Sequence, residues 1–279
     1  MLFIGNSYTY FNNLPRLIAA LAESAREAQP LEAEMFTVGG AALKSHWEDK
    51  KAVARIKQGP WDYVVLQEQS TLGPAPLLNG IPQINAPETF YQYAHLFDAE
   101  IKKAGAKTLF FLTWARRDSP QNQVLLTDAY WTIAKELNAQ VAPVGAAWAN
   151  ALKQRPELEL HQIDNAHPSS AGSYLAACVF YAALYGKSPE GLTSRILGSP
   201  IDADGHPMAQ KRSFDAVHGA LLTTAHGQSR ACPARAQCSV GLGCGCARRT
   251  DGGDLCPSRD LAGDTRRGSW RCAPKPSPR

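Results

Sequence analysis

Leu2-Phe3-Ile4-Gly5-Asn6-Ser7-Tyr8-Thr9 opens the chain with an apolar run that ends at a glycine and turns polar at once. Three core-type residues followed by Gly-Asn-Ser read as a short strand entering a turn. The period then changes: Leu14, Leu17, Ile18, Leu21 and Ala25 recur at helical spacing over 14–28. The first unit is therefore strand, turn, helix.

The same unit returns along the chain. A strand is expected over 32–38, closed by Gly39-Gly40, then a helix over 41–57. Tyr63–Leu66 is a fully apolar strand introduced by Gly59-Pro60, and Lys107–Thr113 (KTLFFLT) is another. Further helices are expected over 86–104, 121–137, 146–154 and 168–185, with a last strand over 140–144, a Pro/Gly-punctuated loop over 68–85, and 213–224 as one more candidate helix. Continuously apolar strands alternating with helices imply a parallel sheet covered on both faces. The expected fold is thus a three-layer αβα sandwich around a sheet of about five strands, flavodoxin-like in character. Active sites of such folds lie beyond the carboxyl ends of the strands.

Composition narrows the classes. With 44% apolar and 19% charged residues in 279, the chain has a soluble globular balance, and no run of about 18 apolar residues suggests a membrane span. The net charge of +4 is unevenly placed. Residues 228–279 hold nine Arg and one Lys against four Asp, a surplus of six, which leaves residues 1–227 at −2. Charge therefore gives no reason to expect nucleic-acid binding by the body. The 1–227 body, with its core at 2–186, is expected to be one domain. The 228–279 tail has no Ile, Phe or Tyr and carries six of the seven cysteines. That composition cannot order a backbone; it resembles a GC-rich coding sequence read out of frame, with a native disordered basic tail as the alternative. Cys178, alone in the body, reads as a packing thiol. Met1 precedes the first strand directly, without a charged leader. As written the chain is cytoplasmic; a first strand of only about four residues suggests a lost secretion signal, which would place it outside the cytoplasm.

Ser7 stands where a strand meets a helix, so its Oγ is exposed and its N–H lies near a helix N-terminus suited to an oxyanion. Taken alone, it equally begins a turn. Asp164-Asn165-Ala166-His167-Pro168-Ser169, just before the last body helix, supplies what a serine nucleophile needs: a base within reach and a carboxylate to orient that base. His46, His95 and His161 are scattered, and no metal constellation is visible.

With these two blocks the sequence resembles the GDSL/SGNH hydrolase superfamily over roughly 2–186. GNSYT is similar to the family's G-D-S block in a G-N-S variant, and DNAHPSSAG to its D-x-x-H block followed by Pro and a helix. The resemblance implies Ser7 as nucleophile, with Asp164 and His167 completing a triad. It implies an oxyanion hole built from the N–H of Ser7, a glycine after the second strand (Gly39 or Gly40, with Gly40 preferred) and an amide from the third block. There the usual G-x-N-D is replaced by Gln67-Glu68-Gln69-Ser70, which looks more like the Q-G-E block of carbohydrate and sialic-acid acetylesterases. Gln67 is the expected amide donor and Gln69 the reserve. No cofactor is implied. The expected reaction is hydrolysis of a short acyl ester, an O-acetyl group on carbohydrate. Two alternatives stand beside it: a lipase or thioesterase using the 72–81 loop as an acyl tunnel, and a non-catalytic module that keeps the fold. Trp47 and the Trp114-Ala115-Arg116-Arg117 segment offer aromatic faces and guanidinium forks suited to a sugar or a carboxylated substrate.

Overall fold

The computed structural model describes residues 1–74 and 83–194, and the backbone alone of 77–78, 81–82, 196–198 and 212–214. All of these belong to one compact unit, Met1–Pro233. The expected 228–279 tail lies outside the described residues.

In chain order the elements are β1 (Leu2–Gly5), α1 (Ser7–Tyr10), α2 (Leu14–Ser24), β2 (Glu34–Thr37), α3 (Leu43–Glu48), α4 (Lys51–Lys57) and β3 (Tyr63–Leu66). Then come β4 (Leu77–Leu78), β5 (Ile81–Pro82), α5 (Glu88–Lys103), β6 (Lys107–Phe111), α6 (Asn122–Leu137), β7 (Gln140–Ala142), α7 (Val144–Gln154), α8 (Ser170–Tyr185), β8 (Ile196–Gly198) and β9 (Arg212–Phe214). Five strands form one sheet in the order β2-β1-β3-β6-β7, and every pairing within it is parallel. In sheet-strand numbering that is the doubly wound order 2-1-3-4-5, so the fold is a three-layer α/β sandwich.

Strand alternation produces the two cores. Phe3, Val65, Leu109 and Phe111 point to one face, where they meet apolar residues of α2, α7 and α8. Leu2, Ile4, Val64, Leu66 and Phe110 point to the other, against α3, α4, α5 and α6. Every one of these nine side chains is at most 1% exposed. Burying such a residue is worth about 1.5–3 kcal/mol relative to leaving it in water. That is why the apolar runs behave as strands and not as loops. Among the described residues no helix is long and apolar enough to cross a membrane.

Three local readings change. The helix expected over 41–57 is two helices, broken where Lys50 takes φ 63° and the Asp49 carboxylate accepts the Lys51 N–H at 2.9 Å. An Asp that bonds the backbone two residues on offers the chain a turn in place of the helix. The 68–85 segment, expected as a loop, contains the β4–β5 antiparallel pair. Ser213 and Phe214 lie in β9, although a helix is expected over 213–224; residues 215–224 lie outside the described residues.

Candidate active site

β1 ends at Gly5 because the chain there must pass close to another side chain. A Cβ on Gly5 would sit 2.5 Å from Gln67 Oε1 and 2.8 Å from Thr9 Oγ1. The chain then turns at Asn6, which caps α1: its Oδ1 accepts the Tyr8 N–H at 3.1 Å. Its Nδ2 donates to the Ala41 carbonyl at 2.9 Å, tying this turn to the Gly39-Gly40 turn after β2. Ser7 is the first residue of α1 and 7% exposed.

The partner loop is held as firmly. His161 and Pro168 form an antiparallel bridge, and the Gln162 N–H donates to the His167 carbonyl at 2.8 Å. Trp114 Nε1 donates to the Ala166 carbonyl at 2.9 Å, and the Arg117 N–H to the Asn165 carbonyl at 2.9 Å. At the far end of the loop, Ser169 caps α8 by accepting the Gly172 N–H. These bonds present His167 so that its Nε2 lies 2.9 Å from Ser7 Oγ, while its Nδ1 is hydrogen-bonded to Asp164 Oδ2. Asp164 Oδ1 accepts the N–H groups of Ala166 and His167, each at 2.9 Å. Burial works to raise the Asp164 carboxyl. The hydrogen bonds from His167 and from the two N–H groups outweigh it and hold the acid below the usual carboxylate range. The imidazole is fixed sideways by Phe11, stacked at 4.5 Å, and edge-on by Tyr8 at 5.8 Å.

A cavity of about 400 Å³ lies over Ser7 and His167, with Tyr8, Tyr10, Gly39, Gly40, Gln69, Ser70 and Arg116 among its walls. Gly40 has φ +68°, a conformation that favours glycine. Among the described residues, no protein group accepts the N–H of Ser7 or of Gly40.

The third block departs from the sequence expectation. Gln67 does not border the cavity; it is fully buried beneath the turn. Its Oε1 accepts the Asn6 N–H at 2.8 Å and the Thr9 hydroxyl at 3.0 Å, and its Nε2 donates to the Glu68 carbonyl at 2.8 Å. Gln67 therefore supports the Asn6–Ser7 turn from below. Gln69, the reserve, does border the cavity. Its Oε1 is taken by the Thr71 N–H (2.9 Å) and the Ser70 hydroxyl (3.1 Å), and among the described residues nothing accepts from its Nε2.

Two residues that the sequence did not single out hold the parts together. Asn12, at φ 55°, donates from Nδ2 to Ser173 Oγ at 2.8 Å, joining the turn after α1 to the start of α8. Glu68 is 1% exposed, and its carboxylate accepts the Leu43 N–H at 3.1 Å and the Gln69 N–H at 2.7 Å. One side chain thus links the Gly40 side of the cavity to the Gln69 side. Burial pushes its pKa up to about 7, against those two hydrogen bonds. An Asn at a positive φ and a buried acid leave no periodic signature in sequence.

Of the residues expected to meet a sugar, Trp114 is 1% exposed, with Tyr8 stacked at 4.5 Å and Trp148 at 4.0 Å. No ring face is left for a ligand. Trp47 packs edge-on against Phe97, under the Lys50 ammonium. Arg116 borders the cavity and Arg117 is exposed. Among the described residues no group of three or more His, Cys, Asp or Glu could hold a metal ion.

Among solved structures, the chain is similar to a protein from Slackia heliotrinireducens assigned as an SGNH hydrolase. The identity is 29%, covering 64% of this chain and 95% of that one, with a TM-score of 0.51. It is similar in fold to the acetyl xylan esterase AlAXEase (14% identity, 66% and 100% covered, TM-score 0.52). The fold is also that of a lipase/acylhydrolase from Enterococcus faecalis (16% identity, 66% and 95% covered, TM-score 0.51). No protein-family profile and no curated protein sequence matches.

Proposed function

We propose that the chain is an ester hydrolase of the GDSL/SGNH superfamily, to a member of which its structure is similar, and that it cleaves short acyl esters of carbohydrates through Ser7, His167 and Asp164. The observation that carries this reading is the hydrogen-bonded series Asp164–His167–Ser7, with Nε2 of the imidazole 2.9 Å from the serine oxygen.

The chemistry follows from which atoms are free. Ser7 Oγ attacks the acyl carbon and passes its proton to His167 Nε2, while Asp164 stabilises the imidazolium that forms. The negative charge that develops on the acyl oxygen is met by the N–H groups of Ser7 and Gly40 and by the Nε2 of Gln69. Preorganised donors of this kind cost no rearrangement in the transition state. The imidazolium returns its proton to the departing sugar oxygen. Water, deprotonated at the same nitrogen, then releases the acid and frees the serine.

A small acyl group is favoured by what surrounds Ser7. The cavity walls mix amide, hydroxyl, backbone and guanidinium groups with the Tyr8 and Tyr10 side chains and, among the described residues, offer no long apolar channel. Leu72, which an acyl tunnel along the 72–81 loop would need at its mouth, is 2% exposed and packed in the core against the α3–α6 layer.

The test is hydrolysis of p-nitrophenyl acetate, p-nitrophenyl octanoate and an O-acetylated xyloside by the full chain and by Ser7→Ala. Acetyl esters should be hydrolysed and the octanoate far more slowly. A Ser7→Ala protein that is folded and equally active would refute the serine mechanism; a preference for octanoate would transfer the reading to lipids.

A further inference from the structure

A second cavity, of about 460 Å³, lies between the connection after β6, helix α7 and residues 156–161. It shares one residue with the Ser7 cavity, Arg116. That side chain is fixed: its Nε and Nη2 donate to the Asp118 carboxylate at 3.2 and 3.1 Å, and Nη2 also donates to the Asp164 carbonyl at 3.2 Å. Arg116 is therefore a wall common to both cavities, held between Asp118 and the Asp164 carbonyl.

The walls of this cavity are specific about chemistry. Leu152, Pro156 and Leu158 give it an apolar side. His161, 5% exposed, faces the Ala115 carbonyl with Nε2 at 3.0 Å. A carbonyl can only accept, so Nε2 carries the hydrogen; burial keeps the ring below its ordinary pKa and hence neutral, and Nδ1 is left as an acceptor. No described protein group donates to that nitrogen. Arg117, also on the wall, has donors with no protein partner among the described residues. An acyl chain would leave the His161 acceptor unsatisfied. A strong anion would meet Glu157 and Glu159, which also border the cavity. What satisfies an apolar wall, one acceptor and one fork of donors together is a neutral ring bearing hydroxyls. The volume falls within the range of small-ligand sites, roughly 300–1,000 Å³.

We propose that this second cavity is an accessory subsite for a neighbouring sugar unit, so that the preferred substrate is an acylated oligosaccharide and not a monosaccharide ester. The proposal rests on the esterase reading of Ser7. It predicts that an O-acetylated xylotetraose has a kcat/KM about tenfold above that of an O-acetylated xyloside, expressed in KM. Ala149→Trp, at an exposed wall position on α7, fills the cavity; Arg117→Ala removes its free donors. Both should erase the tetraose preference while leaving p-nitrophenyl acetate hydrolysis unchanged. Unacetylated xylotetraose titrated into Ser7→Ala should bind, and binding should be lost when Ala149→Trp is added. Equal kcat/KM for the two sugars, or a preference that survives Ala149→Trp, overturns the subsite. Hydrolysis persisting in Ser7→Ala would instead overturn the catalytic reading, with the titration still deciding the subsite.

Discussion

Glu68→Gln separates two forces that meet in one buried side chain. The Leu43 and Gln69 N–H groups favour the carboxylate, and burial favours the neutral acid; the balance lifts the pKa from 4.5 to about 7. At about 1.4 kcal/mol per tenfold change in proton affinity, the folded state holds this proton more tightly than the unfolded chain by about 3 kcal/mol. Because the folded pKa is the higher one, this contribution is complete below pH 4.5 and is lost as the pH rises through about 7. A glutamine has no such titration. Its amide must, however, turn N–H groups toward one of the two backbone donors, a cost of about 1–3 kcal/mol at every pH. Urea denaturation of wild type and Glu68→Gln, followed by tryptophan fluorescence from pH 4 to pH 8, reads both terms. The variant should be the less stable protein at pH 4, and its deficit should shrink by about 3 kcal/mol by pH 8, or reverse. A deficit that stays constant, or grows with pH, would refute the balance argued here. It would mean that the two N–H groups outweigh burial and keep Glu68 an ordinary ionised acid.

Two further substitutions test other parts of the molecule. Gln69→Ala should lower kcat for p-nitrophenyl acetate by about 10²–10³ with little change in KM, the usual cost of one oxyanion donor, whereas equal activity would remove Gln69 from the hole. Gly145→Ala would place a Cβ 1.9 Å from the Thr113 carbonyl oxygen, so α7 must move away from the end of β6. A loss of at least about 3 kcal/mol in unfolding free energy is expected, and a near-neutral variant would show that the contact relaxes cheaply.

The sheet was legible because its central strands are buried on both faces, so β1 and β3 are unbroken apolar runs and β6 runs into one at Leu109–Phe111. That Ser7 meets Asp164 and His167 was legible because Ser7 opens the helix after β1 while the Asp164–His167 turn lies just before α8, and the structure joins the three by hydrogen bonds. The choice between Gln67 and Gln69 was not. Gln67 still donates its N–H to the Ile4 carbonyl at 2.9 Å, so it continues the sheet and turns its side chain under Gly5, into space that only a glycine leaves. That complementarity joins positions 62 apart and has no periodicity to reveal it. The same holds for Trp114: the sequence shows an aromatic after a strand, but only packing shows that Tyr8 and Trp148 cover both of its faces. The break at Asp49-Lys50 was readable in principle, from an Asp inside an otherwise regular helical pattern.

Ser7 and His167 stand 160 positions apart, and α2 and α8, which flank them in the chain, pack directly against each other. On the ribosome this imposes an order of events. Ser7 emerges early and His167 late, and at about 5–20 residues per second the interval is roughly ten to thirty seconds. Until α8 docks, the first helices expose the apolar face that it will cover, and Ser7 has no imidazole beside it. Under the proposed mechanism a nascent chain cannot hydrolyse esters while it is being made, and it has a long window in which a chaperone could occupy the α8 groove.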